Sequence, residues 1–187
     1  IYSILACMFY RNVKLVISER NDPYRDPNNI FLRKIRDVLY HFSNGYVFQT
    51  EDAKNYFSDD IQKRGTVISN PIKNNLPFWK NNNSKVIITA CRLAKQKNLP
   101  MMIDAFEMVQ KEYPDYKLKI FGEGPLRKEL EDYIVKKGLE KKVLLPGFSE
   151  NIHQEMVNAE IFVISSDYEG ISNSMLEALA IGIPVIS

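Results

Sequence analysis

From about position 85 onward, the apolar residues follow two periods in turn. Continuous apolar runs at 85–90, 116–121, 143–145 and 161–165, and one starting at Val185, read as buried strands. Between them, apolar residues at helical spacing predict helices over 98–112, 126–137, 152–159 and 174–181. In the first of these, Leu99, Met102, Ile103, Phe106 and Val109 share one face. Gly138 and Gly182 stand where helix ends favour glycine. Strand alternating with helix predicts an α/β fold with a parallel, doubly wound, Rossmann-like sheet. Ligands of such sheets sit outside the carboxyl ends of the strands, so the strand-to-helix turns carry the functional interest.

The first third is less regular. Residues 1–10 are apolar and helix-compatible, 13–18 read as a strand, and the two prolines of 21–28 mark a loop. An amphipathic helix is expected over 30–42, a strand over 45–49, a helix over 51–57 capped by Thr50, and a strand over 66–69. The stretch 70–84 is rich in Asn and Pro and has no periodicity, which makes it the best domain boundary. The expected organisation is a first domain over 1–69, a linker over 70–84 and a second domain over 85–187. The lone Trp79 of the linker reads as interdomain packing. His41 and His153 read as helix-surface or packing residues.

Composition narrows the function classes. At 187 residues and a net charge of +2, the chain lacks the basic excess of a nucleic-acid binder, and its lysines are interleaved with glutamates. Cys7 and Cys91 lie far apart in apolar surroundings, as small buried thiols of a reducing compartment do. No Cys/His metal spacing and no bilayer-length apolar run occur in the sequence. The residues after Ile1 lack the pattern of a signal peptide, and Pro-Val-Ile-Ser187 reads as a strand still in progress. Both ends are expected to have been cut from a longer protein.

Three turns hold the candidate chemistry. In Cys91-Arg-Leu-Ala-Lys-Gln-Lys97, cations directly follow a buried strand, an arrangement suited to a diphosphate. Taken alone, Arg92, Lys95 and Lys97 also fit ordinary surface charges. Gly122-Glu-Gly-Pro125 would let backbone approach a ligand, yet it also fits a simple tight turn. It is not a dinucleotide fingerprint, because Arg127 stands where the third glycine would be. In the third turn, Gly170, Ser172 and Asn173 precede a helix whose N-terminus is a ready anion site. Two acids flank it, Glu169 and Glu177. Glu169 also fits a solvated loop acid, and Ser174-x-x-Glu177 also fits a capping box.

The segment Glu169-Gly-Ile-Ser-Asn-Ser-Met-Leu-Glu177 resembles the Glu-x7-Glu signature of the family 4 retaining glycosyltransferases, which adopt the two-domain GT-B fold. The arginine–lysine pair of that family has its spacing at Arg92 and Lys97, its Gly-Pro turn at 122–125, and its remaining landmarks at Leu145-Pro-Gly-Phe148 and 163–170. The resemblance spans 85–187 and makes 1–69 the later part of an acceptor-binding domain. Residues 16–23 resemble a stretch of bacterial members that build surface polysaccharides, with Glu19, Arg20 and Asp22 as acceptor-cleft candidates.

The resemblance implies a role for each residue. Glu177 would hold the ribose hydroxyls of a nucleoside-diphosphate sugar, of the UDP type. Arg92 and Lys97 would neutralise the leaving diphosphate, assisted by backbone amides near Asn173, Ser174, Met175 and Leu176. Glu169 would contact sugar hydroxyls, with Gly170, Ile171 and Ser172 beside it. Gly122 and Phe148 would border the nucleotide. No divalent metal or other cofactor is expected, since Asp-x-Asp is absent and the cations serve instead. The implied acceptor is a glycan or a lipid-linked glycan, the implied location the cytoplasm with peripheral contact at the inner membrane face. Cys91 stands where the family commonly has glycine. The competing readings are a non-catalytic nucleotide-sugar-binding module and an epimerase or phosphorylase of the same fold.

Overall fold

The computed structural model describes residues 2–7, 10 and 12–187. Contacts divide the chain into two units, one of residues 1–71 with 168–171, the other of residues 72–167 with 172–187.

The first unit is a three-stranded parallel sheet of β1 (Val16–Glu19), β2 (Gly45–Phe48) and β3 (Gly65–Val67), in that order. Helices α1 (Tyr2–Cys7), α2 (Ile30–Tyr40), α3 (Glu51–Asn55) and α4 (Asp59–Lys63) accompany it. Thr50 caps α3 as expected, accepting from the Ala53 amide at 3.0 Å. The short α4 has no counterpart in the sequence reading, because five residues are too few to show a period. Positions 1, 8 and 9 of the expected first helix lie outside the described residues. The core gathers Ile4, Tyr40, Tyr46, Phe48, Ala53, Phe57 and Ile61.

Two charged side chains, Arg36 and Glu19, are buried together in this unit. Arg36 is only 3% exposed. Its guanidinium donates to the Pro23 carbonyl at 2.9 Å and to Asp37, and it faces the Tyr56 ring at 5.1 Å. Glu19 lies beside it and accepts from the Tyr40 hydroxyl at 2.8 Å. Burial, the largest influence, holds the Glu19 carboxyl above its usual pKa. Buried charges persist only when paired and hydrogen-bonded, as these are.

The second unit is a five-stranded parallel sheet in the order β6-β5-β4-β7-β8. Its strands are β4 (Val86–Ala90), β5 (Lys117–Phe121), β6 (Val143–Gly147), β7 (Ile161–Val163) and β8 (Val185–Ile186). Its helices are α5 (Leu99–Glu112), α6 (Arg127–Lys136), α7 (Ile152–Val157) and α8 (Asn173–Ile181). Alternation along the strands sends side chains to two cores. Ile87, Leu118, Ile120 and Val163 join α5 and α6, whereas Ile88, Phe121 and Phe162 join α7 and α8. Beside α5, an apolar groove of about 540 Å³ remains, lined by Ile87, Met101, Val109, Ile161 and Ile186 among others.

Trp79 departs from its sequence reading. Its indole donates to the Ala159 carbonyl at 2.7 Å, and its ring packs with Leu76 on the α7–α8 core. It therefore packs, half-buried, against the core of the second unit. The stretch 73–84 holds no helix or strand but is attached to this unit from Ile72 onward.

Candidate functional site

All five strands of the second sheet run parallel, so the loops after them share one edge. The chain runs outward from β4 to β6 and then returns to β7 on the other side of β4. The switch point thus lies between β4 and β7, where doubly wound sheets bind ligands. The two loops meeting there are joined by hydrogen bonds. Ser165 Oγ donates to the Lys97 carbonyl at 2.7 Å, the Asp167 amide to the Gln96 carbonyl at 2.9 Å, and Asn98 Nδ2 to Asp167 Oδ1 at 2.7 Å. These bonds fix the turn carrying Lys97, which forms a short 3-10 helix over Lys95–Lys97. Asn98 ends that turn in the left-handed region, a conformation open to asparagine.

Beyond β4 and β5 lies a cleft of about 410 Å³ that brings together Arg92, Gly122 and Phe148, along with Cys91, Glu123 and Ile152. Arg92 is exposed, and the Phe148 ring is 78% exposed. The glycines of 122–125 have a local cause. A Cβ on Gly122 would lie 2.0 Å from the Cys91 carbonyl oxygen, and one on Gly124 would lie 2.4 Å from that of Leu93. Gly122 also has φ of 122°, a backbone that disfavours any side chain. The close backbone approach expected for a ligand is made here to the Arg92 loop, sealed by Leu93 N–H to Glu123 O at 3.0 Å. Arg127 has a similar bracing role: it donates to Glu123 at 2.9 Å and to the Leu145 carbonyl at 2.9 Å.

The third turn is split between the units. Glu169, Gly170 and Ile171 cluster with the first unit, whereas Ser172 to Glu177 belong to the second. Within the first unit, Gln49 Oε1 accepts from the Ile171 amide at 3.3 Å, and Asn70 Nδ2 donates to the Ile171 carbonyl at 3.3 Å. A Cβ on Gly170 would stand 2.7 Å from the Arg20 carbonyl oxygen, so this loop packs too tightly for a side chain there. The acceptor-cleft candidates have partners of their own in this unit: Glu19 has Tyr40, Arg20 reaches Asn70 at 3.3 Å, and Asp22 caps the Tyr24 amide at 2.9 Å.

Helix α8 begins one residue earlier than expected, at Asn173, and its cap is Ser172, whose Oγ accepts from the Met175 amide at 3.4 Å. Ser174 and Glu177 lie inside the helix, so the capping-box reading of Glu177 fails. Instead, the Glu177 carboxylate stands 3.0 Å from His153 Nε2 of α7. Hydrophobic periodicity is local, so the sequence shows His153 only as a surface or packing residue and pairs no positions 24 residues apart on different helices.

Residues 73–187 match the family described as glycosyl transferases group 1. An uncharacterized glycosyltransferase of Methanocaldococcus jannaschii is 29% identical over 94% of this chain and 48% of its own length. An N-acetylgalactosaminyltransferase of Campylobacter jejuni, acting on an N-acetylgalactosamine-N,N'-diacetylbacillosaminyl-diphospho-undecaprenol by its name, is 40% identical over 54% of this chain and 27% of its own length. The chain thus spans about half or less of these relatives. Among solved structures, Anabaena HepE in complex with UDP and glucose superposes with a TM-score of 0.79 at 20% identity, covering 98% of this chain and 54% of that one. Staphylococcus aureus TarM, solved with UDP, gives 0.79 at 22% identity over 95% of this chain and 37% of that one. These likenesses show the fold, which is of the GT-B type. With the family match covering more than half of its residues, the chain belongs to the glycosyl transferases group 1 family.

Proposed function

We propose that the second unit binds a nucleoside-diphosphate sugar with uridine as its base. We propose further that the whole protein transfers the sugar, with retention of configuration, to a glycan or lipid-linked acceptor in polysaccharide synthesis. The observation that carries this reading is the cleft at the carboxyl edge of the sheet, where Arg92, Gly122 and Phe148 meet. Arg92 and Lys97 neutralise the diphosphate, and charge grows on it as the glycosidic bond breaks, so cations already in place lower the barrier. The N-terminus of α8, a nine-residue helix whose Met175 and Leu176 amides are already taken by Ser172, adds a favourable dipole interaction of about 0.3–1 kcal/mol. Phe148 borders the base, and Glu177 accepts from ribose hydroxyls.

Uridine is favoured by the HepE and TarM structures, both solved with UDP. A lipid-linked acceptor is favoured by the name of the Campylobacter relative. No helix among the described residues is long and apolar enough to cross a membrane. The acceptor brings the protein to the inner membrane face, and catalysis proceeds without a metal.

A thermal-shift panel of UDP, GDP and ADP tests the reading. UDP is expected to raise the melting temperature most, with or without EDTA. Ligand at 100 times Kd stabilises the native state by about 2.7 kcal/mol. Arg92→Ala removes charged hydrogen bonds of about 1.5–3 kcal/mol, which corresponds to a roughly 10- to 150-fold weaker Kd. No stabilisation by any of the three nucleotides would sink the assignment.

A further inference from the structure

The contact between α7 and α8 gives Glu177, the acid proposed for the ribose, an ionisable neighbour. His153 follows Ile152, which packs on the core of that face together with Met156 one turn on, so its ring is directed sideways toward α8. On α8, Glu177 precedes the buried Ala178 and so occupies the flank of that helix. The result is a separation of 3.0 Å between His153 Nε2 and Glu177 Oε2, with the side chains 18% and 27% exposed. His153 Nε2 itself is sealed from solvent, and its alignment makes no directed hydrogen bond among the described residues. A buried ring nitrogen without a partner is uncommon in native proteins, because it forfeits its hydrogen bond to water. A small rotation of either side chain turns the contact into a charge-assisted bond. A carboxylate has about four acceptor sites, so one bond to the imidazole leaves the others to a ligand.

We infer that His153 is a positioning residue for nucleotide binding: it holds the Glu177 carboxylate in the orientation that receives the ribose hydroxyls. This rests on the proposed role of Glu177 and goes beyond it, since no part of that role requires a histidine on the neighbouring helix. A contact that merely joined α7 to α8 would affect stability alike with every ligand. A positioning contact instead affects the reading of the hydroxyls.

The experiment is a calorimetric titration of the intact protein with UDP and with 2′,3′-dideoxy-UDP, which lacks both hydroxyls. The wild type is expected to prefer UDP by roughly tenfold or more, the scale of a hydrogen bond to a charged group. His153→Leu, similar in bulk but unable to donate, is expected to lose most of that preference while binding the dideoxy compound as before. His153→Gln, whose amide can donate, is expected to recover much of it, which also guards against a folding defect in the leucine variant. An undiminished preference in His153→Leu overturns the inference alone, as does equal weakening of both nucleotides in both variants. Absence of preference in the wild type overturns the ribose role of Glu177 and the inference with it.

Discussion

Gly122 shows how a single residue joins fold to site. Its φ of 122° and the 2.0 Å separation between a built Cβ and the Cys91 carbonyl leave room for hydrogen alone. Gly122→Ala therefore has to displace the loop that carries Arg92. A side chain in such a backbone region costs about 1–3 kcal/mol. Urea unfolding is expected to show a loss of that size, together with weaker UDP binding, whereas an alanine tolerated without either change would mean that the loop does not need this approach. Cys91, the departure from the usual family glycine, is accommodated by its neighbours: its thiol packs against the core beneath α5 and α6. The cleft is thereby kept by a glycine one strand away rather than by the residue before the arginine.

Among the elements, α5 and α6 are tied by Lys137, whose ammonium lies 2.8 Å from both Asp104 and Glu107. That ammonium is the largest influence holding both carboxyls below their usual values of 3.8 and 4.5. Their folded pKa values are depressed, so the stability they contribute is present above the usual values and is lost as pH falls through the depressed ones. Lys137→Met is expected to lower stability slightly at pH 7. The gap from wild type should narrow as the pH falls through the depressed values of the two acids, which lie below their usual 3.8 and 4.5. A gap of constant size from pH 7 to pH 3 would show that the lysine acts only through packing. The helices themselves were legible from sequence: Leu99, Met102, Ile103 and Phe106 share the buried face of α5, as their spacing indicates. Elements shorter than two turns, α4 and the turn at Lys95–Lys97, left no period to read. The start of α8 was ambiguous for another reason. Ser172 and Ser174 both suit a cap, and only the extended backbone of Ser172 decides between them.

For the molecule as a whole, the strand–helix rhythm and the turn residues revealed the α/β class and the edge of the sheet where Arg92, Gly122 and Phe148 meet. Contacts between distant segments were not legible. The rhythm could not show that Trp79 belongs to the second unit, that Ile171 bonds to Gln49 and Asn70 within the first, or that β7 and β8 leave an apolar groove beside α5. Each depends on packing between segments tens of residues apart, and hydrophobic periodicity is a local signal. The same limit hid the meeting of Glu177 with His153. On the proposed reading, Glu177 serves a nucleotide and not its own helix. The most direct measurement is calorimetric titration of UDP into the wild type and Glu177→Ala, with the unfolding free energy of both determined in urea. That role predicts at least a roughly tenfold loss of UDP affinity beside a stability change below about 1 kcal/mol, within the scale of an ordinary half-exposed substitution. UDP affinity that survives the substitution, or falls only as far as stability does, would contradict it.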